Sequence, residues 1–298
     1  AHRALGFLWL AVGDRDRSMD HFARTYALRR GEDRTGIANE SLRTANRSKL
    51  QHDAALFRHL PPRVRDGGRF ELLARIYDSV AADLPDSDTV VALSDAQLET
   101  LGPDYNAPLH HVDMPELPGG AVNPGLDPAA IAQNYRDTAP GTYLEDGLAS
   151  PLFLQIADEF RGLLPDLLGP HPLTQAWAFK GLRGDQPIDV HADDAAISLN
   201  FWITPESANR NADAGGLVVY REAPPRDWPI VDYDADRARI RSFLDTHGDS
   251  AVRVPYGENR AVLFDSRLFH GSDAPDFAPG YENHRVNITM LFGTAGEL

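Results

Sequence analysis

In Val190-His191-Ala192-Asp193 an imidazole and a carboxylate stand two residues apart, so on an extended segment they project to one face. Another histidine, His270, follows Asp193 by 77 residues within Leu268-Phe269-His270-Gly271-Ser272. Two imidazoles and one carboxylate can form the three-ligand face that binds non-haem Fe(II) and leaves positions open for a co-substrate and O2. Fifteen residues beyond His270, Arg285 opens a strand-like run in which Asn287 and Thr289 share a face, while Val286, Ile288 and Met290 take the other. An arginine so placed can grip a carboxylate through two parallel charge-assisted hydrogen bonds.

The composition narrows the chemistry further. The 298 residues contain no cysteine, which removes disulfides, thiolate metal sites and a cysteine nucleophile, and fits a cytoplasmic location. A formal net charge of −15 repels phosphate backbones and anionic lipid, so neither nucleic acid nor a membrane is an expected partner. Hydrophobic residues at 42% suffice for one large core or two moderate ones. No phosphate-binding glycine loop or nucleophile elbow is present.

The elements that must position these residues fall into two styles. Leu5, Leu8, Trp9 and Val12, then Met19, Phe22, Tyr26 and Leu28, recur at helical spacing around a break at Gly13-Asp14 and predict a helical hairpin. Further helices are expected over Ile37 to Leu60, Arg69 to Leu84 and Asp95 to Leu101, followed by a Pro/Gly-rich loop from Leu117 to Pro128. Thr142 to Leu168 reads as helical, with Ser150-Pro151 as N-cap and first residue. Beyond residue 170 short β-rich runs predict strands: Thr174 to Leu182, Ile188 to Asp193, Ile197 to Ile203, Leu217 to Tyr220, Ala251 to Pro255, Arg260 to Asp265 and Arg285 to Phe292. A charged helix, Asp234 to Thr246, interrupts them. The expected class is α+β, divided into a hairpin (1–35), a helical connector and loop (36–141) and a β-core domain (142–298).

The order His-x-Asp, distant His, then Arg-x-Asn resembles the Fe(II)/2-oxoglutarate-dependent oxygenases over roughly residues 142–298. Gly215-Gly216-Leu217 and the stretch Trp202-Ile203-Thr204-Pro205 through Ala208-Asn209 are similar to the prolyl and phytanoyl hydroxylase branches. The resemblance implies a double-stranded β-helix, or jelly-roll, with His191, Asp193 and His270 as iron ligands. It also implies Arg285 on the distal carboxylate of 2-oxoglutarate, assisted by Asn287 where the family often has serine, with Thr289 and Asn200 on the same co-substrate face. The implied activity is a dioxygenase using Fe(II), 2-oxoglutarate and O2, with ascorbate as reductant, that hydroxylates a protein, peptide or amino-acid-like substrate and releases succinate and CO2. Separately, Leu5-Gly6, Trp9, Gly13, Ser18, Phe22 and Leu28 resemble one tetratricopeptide unit. Since such a unit needs neighbours, further repeats are expected ahead of Ala1, and a protein or peptide partner is expected through them, with a small-molecule or carrier-bound amino-acid substrate as the open alternative.

Other readings stay open at this level. A repeat-bearing adaptor with a non-catalytic metal barrel is one, and a cupin-like enzyme without 2-oxoglutarate is another. His284 should point away from Arg285 by alternation, and the doublet His110-His111 reads as a packing or solvated element. Lys180 and Arg183 read as surface charge or as grips for a substrate anion, and Asp194 as an exposed turn residue or a support for the ligands. Ser198, Asn200 and Trp202 share a strand face whose direction the sequence leaves open. The insertion between Tyr220 and Ser250 is placed to form a lid carrying substrate-contacting aromatic and arginine residues.

Overall fold

The computed structural model describes residues 1–30, 43–60, 68–87, 89–102, 142–144, 148–181, 187–247 and 250–295, with 105, 116 and 118. His110-His111, Arg183, nearly all of the 117–128 loop and the start of the helix expected from Ile37 lie outside the described residues. The chain is a mixed helix and sheet protein whose sheets are antiparallel throughout.

Helices α1 (His2–Ala11) and α2 (Arg15–Arg30) form the expected hairpin. Gly6 lets them close: a Cβ there would lie 2.6 Å from the Phe22 ring. Buried Ser18 donates its hydroxyl to the Gly6 carbonyl at 2.9 Å. Next come β1 (Thr44–Ala45), α3 (Arg47–His59), α4 (Arg69–Ala82), β2 (Val91–Ala92) and α5 (Asp95–Leu101). The expected long helix is therefore shorter, since β1 precedes it and Asn46 caps α3 by accepting from Lys49 N. A second core lies here, with Leu50, Phe57, Leu73, Tyr77 and Leu101 buried together.

The segment expected to be helical from Thr142 instead begins with β3 (Thr142–Tyr143), and α6 runs only from Pro151 to Leu163 (Pro151–Leu163). Its N-cap is Ser150, as expected, accepting from Phe153 N at 3.2 Å. Then follow β4 (Leu173–Lys180), β5 (Ile197–Trp202), β6 (Leu217–Tyr220), α7 (Ile230–Asp234), α8 (Arg237–His247), β7 (Ala251–Val254), β8 (Arg260–Asp265), β9 (His270–Ser272) and β10 (Val286–Phe292). One sheet has the order β3-β4-β10-β5-β8, the other β7-β6-β9.

Side-chain alternation gives the larger sheet two unlike faces. Val286, Ile288, Met290 and Phe292 of β10 join Ile197, Leu199 and Phe201 of β5, Leu152 and Phe153 of α6, and Phe22 of the hairpin in the main core. The opposite face carries Ser198, Asn200, Trp202, Asn287 and Thr289. There Trp202 packs with Leu217 and Val219 of the smaller sheet and with Val262 and Phe264 of β8, so the two sheets close over one interior.

The strand expected over Ile188 to Asp193 is not one. This segment runs beside β9, but Ile188 exchanges hydrogen bonds with Ser272 while His191 pairs with His270, three residues against two. The extra residue breaks the ladder and leaves a single bridge.

Candidate metal centre

That bridge builds the site. His191 and His270 exchange backbone hydrogen bonds in both directions, at 2.9 and 2.7 Å, which sets their rings side by side with centroids 4.4 Å apart. Asp193 is held by its own N–H, which donates to the Ser266 carbonyl at 2.9 Å. His191 Nε2 then lies 3.7 Å from Asp193 Oδ1, and His270 Nε2 lies 3.5 Å from Asp193 Oδ2. One ligand atom from each of the three residues lies within 4.8 Å of the others, the one such group among the described residues.

Both imidazoles use their other nitrogen on the backbone: His191 Nδ1 faces the Asp189 carbonyl at 2.8 Å and His270 Nδ1 the Leu268 carbonyl at 3.0 Å. A carbonyl only accepts, so each Nδ1 donates and each Nε2 is the nitrogen left to face the centre. Burial, with the His191 charge adding to it, pushes His270 down to about 4, against the pull of Asp193, which keeps it a neutral ligand at neutral pH. Two imidazole Nε2 atoms and a carboxylate thus converge, a donor set that suits a divalent cation. Ser198 supports the carboxylate, lying 2.6 Å from Asp193 Oδ2.

Packing fixes the ligands from behind. Ala192, between two ligands, and Phe269, next to the third, pack with Ile240 and Leu244 of α8 in one apolar cluster. Asp189, whose carbonyl holds His191, faces Arg237 and Arg241 of the same helix at 3.6 and 3.7 Å. The inserted helix thus clamps both ligand-bearing segments; it begins at Arg237 rather than at Asp234, which ends the short α7.

Arg285 stands at the other end of the same face. It is 6% exposed and has no carboxylate partner among the described residues. Its Nε donates to the Gly215 carbonyl at 2.7 Å and its Nη2 to the Gly216 carbonyl at 3.3 Å, and it lies over the Trp202 ring at 6.0 Å. Burial lowers it to about 10, opposed by Tyr256, and it remains a cation at neutral pH. Thr204 clasps the backbone on both sides of it, donating to His284 O at 2.7 Å and accepting from Val286 N at 2.8 Å. Between the two ends, Asn287 Nδ2 donates to Asn200 Oδ1 at 2.8 Å and to Thr289 Oγ1 at 2.9 Å. Two buried polar atoms on this face, Asn287 Oδ1 and Trp202 Nε1, have no hydrogen-bond partner among the described residues.

The residues singled out by type and order therefore meet: His191, Asp193 and His270 at one end, Arg285, Asn287, Thr289 and Asn200 along the rest. His284 turns away, its Nδ1 donating to the Gly181 carbonyl at 3.0 Å. Lys180 is neither surface charge nor at this site: it is buried on the opposite face, 3.3 Å from His52 Nε2 of α3 and over the Tyr281 ring. Asp194 is exposed and hydrogen-bonded to the Tyr233 hydroxyl, which burial and then the Asp194 charge push up. Sequence reasoning missed Ser266 and Thr204 as supports, since each acts on a residue that only pairing brings near, and Asp189, whose backbone carbonyl two residues before His191 leaves no signal in residue type.

A cavity of about 440 Å³ adjoins the ligand segment, lined by Ala195, Ala196, Pro225, Arg226, Trp228, Tyr233, Asp265, Arg267 and Ala295.

No family model matches the chain, and no curated protein does. Solved structures resemble it loosely. Iron-bound HygX from Streptomyces hygroscopicus is 13% identical over 59% of this chain and 81% of its own, with a TM-score of 0.41. AviO1 from Streptomyces viridochromogenes is 14% identical over 88% of this chain and 98% of its own, with a TM-score of 0.34. A prolyl hydroxylase in complex with a hypoxia inducible factor peptide, from Trichoplax adhaerens, is 14% identical over 50% of this chain and 59% of its own, with a TM-score of 0.30. The chemistry of the site rests on its own geometry.

Proposed function

We propose that the chain is an Fe(II)- and 2-oxoglutarate-dependent dioxygenase that hydroxylates a protein, peptide or amino-acid-like substrate. One observation carries this reading: the His191, Asp193, His270 group lies along the same interior face as the buried Arg285 guanidinium, which has no carboxylate partner among the described residues. A buried charge left unpaired is costly, and an anion at Arg285 would compensate it. Ser198 and Trp202, level with the two ends, are four residues apart on β5, about 13 Å of strand, which leaves room for a small dicarboxylate between triad and guanidinium.

His191, Asp193 and His270 would hold Fe(II), and Arg285 the far carboxylate of 2-oxoglutarate, with the unpartnered Asn287 Oδ1 and Trp202 Nε1 available to the same ligand. The bound metal and co-substrate supply oxidative decarboxylation to succinate and CO2 coupled to insertion of oxygen into a C–H bond. The chain's own contribution is positional. Asp189 and Leu268 carbonyls hold the ring protons on Nδ1, Ser198 orients the carboxylate, and Phe264, packed edge-on to the His270 ring at 4.6 Å, screens one side from water.

Two sheets closing over one interior, with ligands entering from the segment before β5 and from β9, support a double-stranded β-helix. The Gly6–Phe22 approach supports a tetratricopeptide-like hairpin in a division at 1–35, 36–141 and 142–298. No helix among the described residues is long and apolar enough to cross a membrane. We propose a cytoplasmic enzyme on the absence of cysteine, with a net charge of −15 that repels nucleic acid and anionic lipid.

Incubation with Fe(II), ascorbate and 2-oxoglutarate tests the reading through succinate release. Slow uncoupled turnover that disappears in His270→Ala is expected. Metal-loaded protein that binds no 2-oxoglutarate would end it.

A further inference from the structure

The sheet face that carries Asn200, Asn287 and Thr289 does not end at β10. Thr289 stands directly across from Trp177 of β4 and Asn287 across from Phe179, and Trp177 in turn stands across from Tyr143 of β3. Residues directly opposite on paired strands project to the same side, so Asn200, Thr289, Trp177 and Tyr143 form one row over four strands. Neighbouring strands are about 4.8 Å apart, which sets Trp177 about 10 Å from Asn200 along the row. Asn200 is two residues from Ser198, the support of the ligand Asp193. Ala176 and Ala178, which alternate with Trp177 and Phe179, face the main core on the other side.

The row changes character at β4. Asn200, Asn287 and Thr289 are buried and polar, whereas Tyr143 is 44% exposed, Phe179 40%, and Trp177 half-buried. The Tyr143 and Trp177 rings lie 5.9 Å apart with their planes inclined at 49°, an open corner. No charged side chain of β3 or β4 shares this side, since Lys180 is turned to His52 of α3. Rings elsewhere in the chain are capped by its own cations: Arg17 over Trp9 at 4.5 Å, Arg239 over Trp228 at 4.3 Å and Lys180 over Tyr281 at 4.4 Å. Among the described residues, no arginine or lysine lies over Tyr143, Trp177 or Phe179. The face of an aromatic ring is electronegative and attracts a cation. A net charge of −15 draws cations to the protein as a whole.

We infer that Tyr143, Trp177 and Phe179 bind the substrate and that the substrate carries an alkylated ammonium group. The ammonium lies in the corner between Tyr143 and Trp177, with Phe179 beside it, and the rest of the molecule runs along the same face toward Asn200 and the triad. A substrate carboxylate would find no donor on these three side chains other than the Tyr143 hydroxyl. The fate of the bound molecule rests on the oxygenase reading, while the binding of an ammonium group does not.

The full chain, free of metal and 2-oxoglutarate, is titrated with choline and with 3,3-dimethylbutan-1-ol, which has the same shape and no charge. Binding is read from the indole N–H resonance that Trp177→Phe removes. Choline is expected to bind at least about tenfold more tightly, a difference of about 1.4 kcal/mol. That preference should persist in about 0.5 M NaCl, where attraction to the acidic surface at large is screened. It should vanish in the Tyr143→Leu/Phe179→Leu double variant and survive in Tyr143→Phe/Phe179→Tyr. Phe179→Leu alone, at an exposed position, guards against loss of folding and should lower the preference by itself. Mn(II) added as a metal stand-in should broaden the methyl signal of bound choline in the intact chain and not in His270→Ala, which places the probe near the triad. Equal binding of the two probes, binding of neither, a preference that survives the double leucine variant, or a methyl signal that Mn(II) leaves sharp would overturn the inference. Choline preference with Mn(II) broadening, in a chain that when metal-loaded binds no 2-oxoglutarate, would instead defeat the oxygenase reading alone.

Discussion

Ser198 Oγ lies 2.6 Å from Asp193 Oδ2 and 2.9 Å from Ser266 Oγ. A carboxylate only accepts, so Ser198 donates to Asp193 and Ser266 donates to Ser198, a relay that fixes which oxygen is left for a metal. Ser198→Ala should lower affinity for Fe(II), or for Mn(II) as a stand-in, by roughly 10- to 100-fold with little change in fold. Metal titration alongside circular dichroism checks this.

On the proposed function, Arg285 sets co-substrate affinity. Arg285→Gln should raise the KM for 2-oxoglutarate by about 100-fold or more, with a smaller effect on kcat at saturation. Arg285→Lys should recover only part, since a single ammonium cannot span both the Gly215 carbonyl and a carboxylate. Succinate release against 2-oxoglutarate concentration gives both constants.

Gly216 has no room for a side chain. A Cβ there would clash with the Val254 carbonyl oxygen and come within 2.7 Å of Pro255 and Tyr256 backbone atoms. Gly216→Ala should therefore push β6 from β7, lower the melting temperature and, by moving a carbonyl that holds Arg285, raise the KM for 2-oxoglutarate together with it. A substitution that left both unchanged would contradict the geometry.

Phe269 and Ile240 are fully buried in the cluster behind the ligands. Ile240→Ala should cost about 2–5 kcal/mol in urea unfolding and weaken metal binding, although the residue touches no ligand. A loss of stability with metal affinity intact would show that the helix packs without positioning.

His284 governs part of the acid sensitivity. Burial, followed by the charges of His52 and Lys180, pushes it down to about 4, opposed by the Gly181 carbonyl, while the unfolded chain titrates near 6.5. Below pH 6.5 the unfolded state binds the extra proton, so stability present above that pH is lost as pH falls toward 4, on the order of 3 kcal/mol from this residue. Burial lowers His52 as well, and it adds in the same direction. Urea unfolding between pH 7.5 and 4.5 should show a slope that flattens by about one proton in His284→Gln.

The convergence of His191, Asp193 and His270 was legible because a metal asks for residue types in an order, and no cysteine competes. The β10 faces were legible too, since Val286, Ile288, Met290 and Phe292 alternate with Asn287 and Thr289 and only one set can enter an apolar core. The strand around His191 was misread because alternation in the sequence does not reveal an extra residue in a pairing; the offset between Ile188–Ser272 and His191–His270 exists only once β9 lies alongside. Lys180 was misread for a related reason. Its partner His52 is 128 residues away, on a helix whose docking nothing local announces.

The sequence by itself determined the chemistry on offer: two imidazoles, a carboxylate and an arginine, with the apolar periodicities that place them on or beside strands. The tertiary structure alone decided that Nε2 rather than Nδ1 faces the centre and that Arg285 is buried with no carboxylate partner among the described residues. Residue type and periodicity are local properties, whereas protonation, burial and charge pairing depend on which distant segments the two sheets bring into contact.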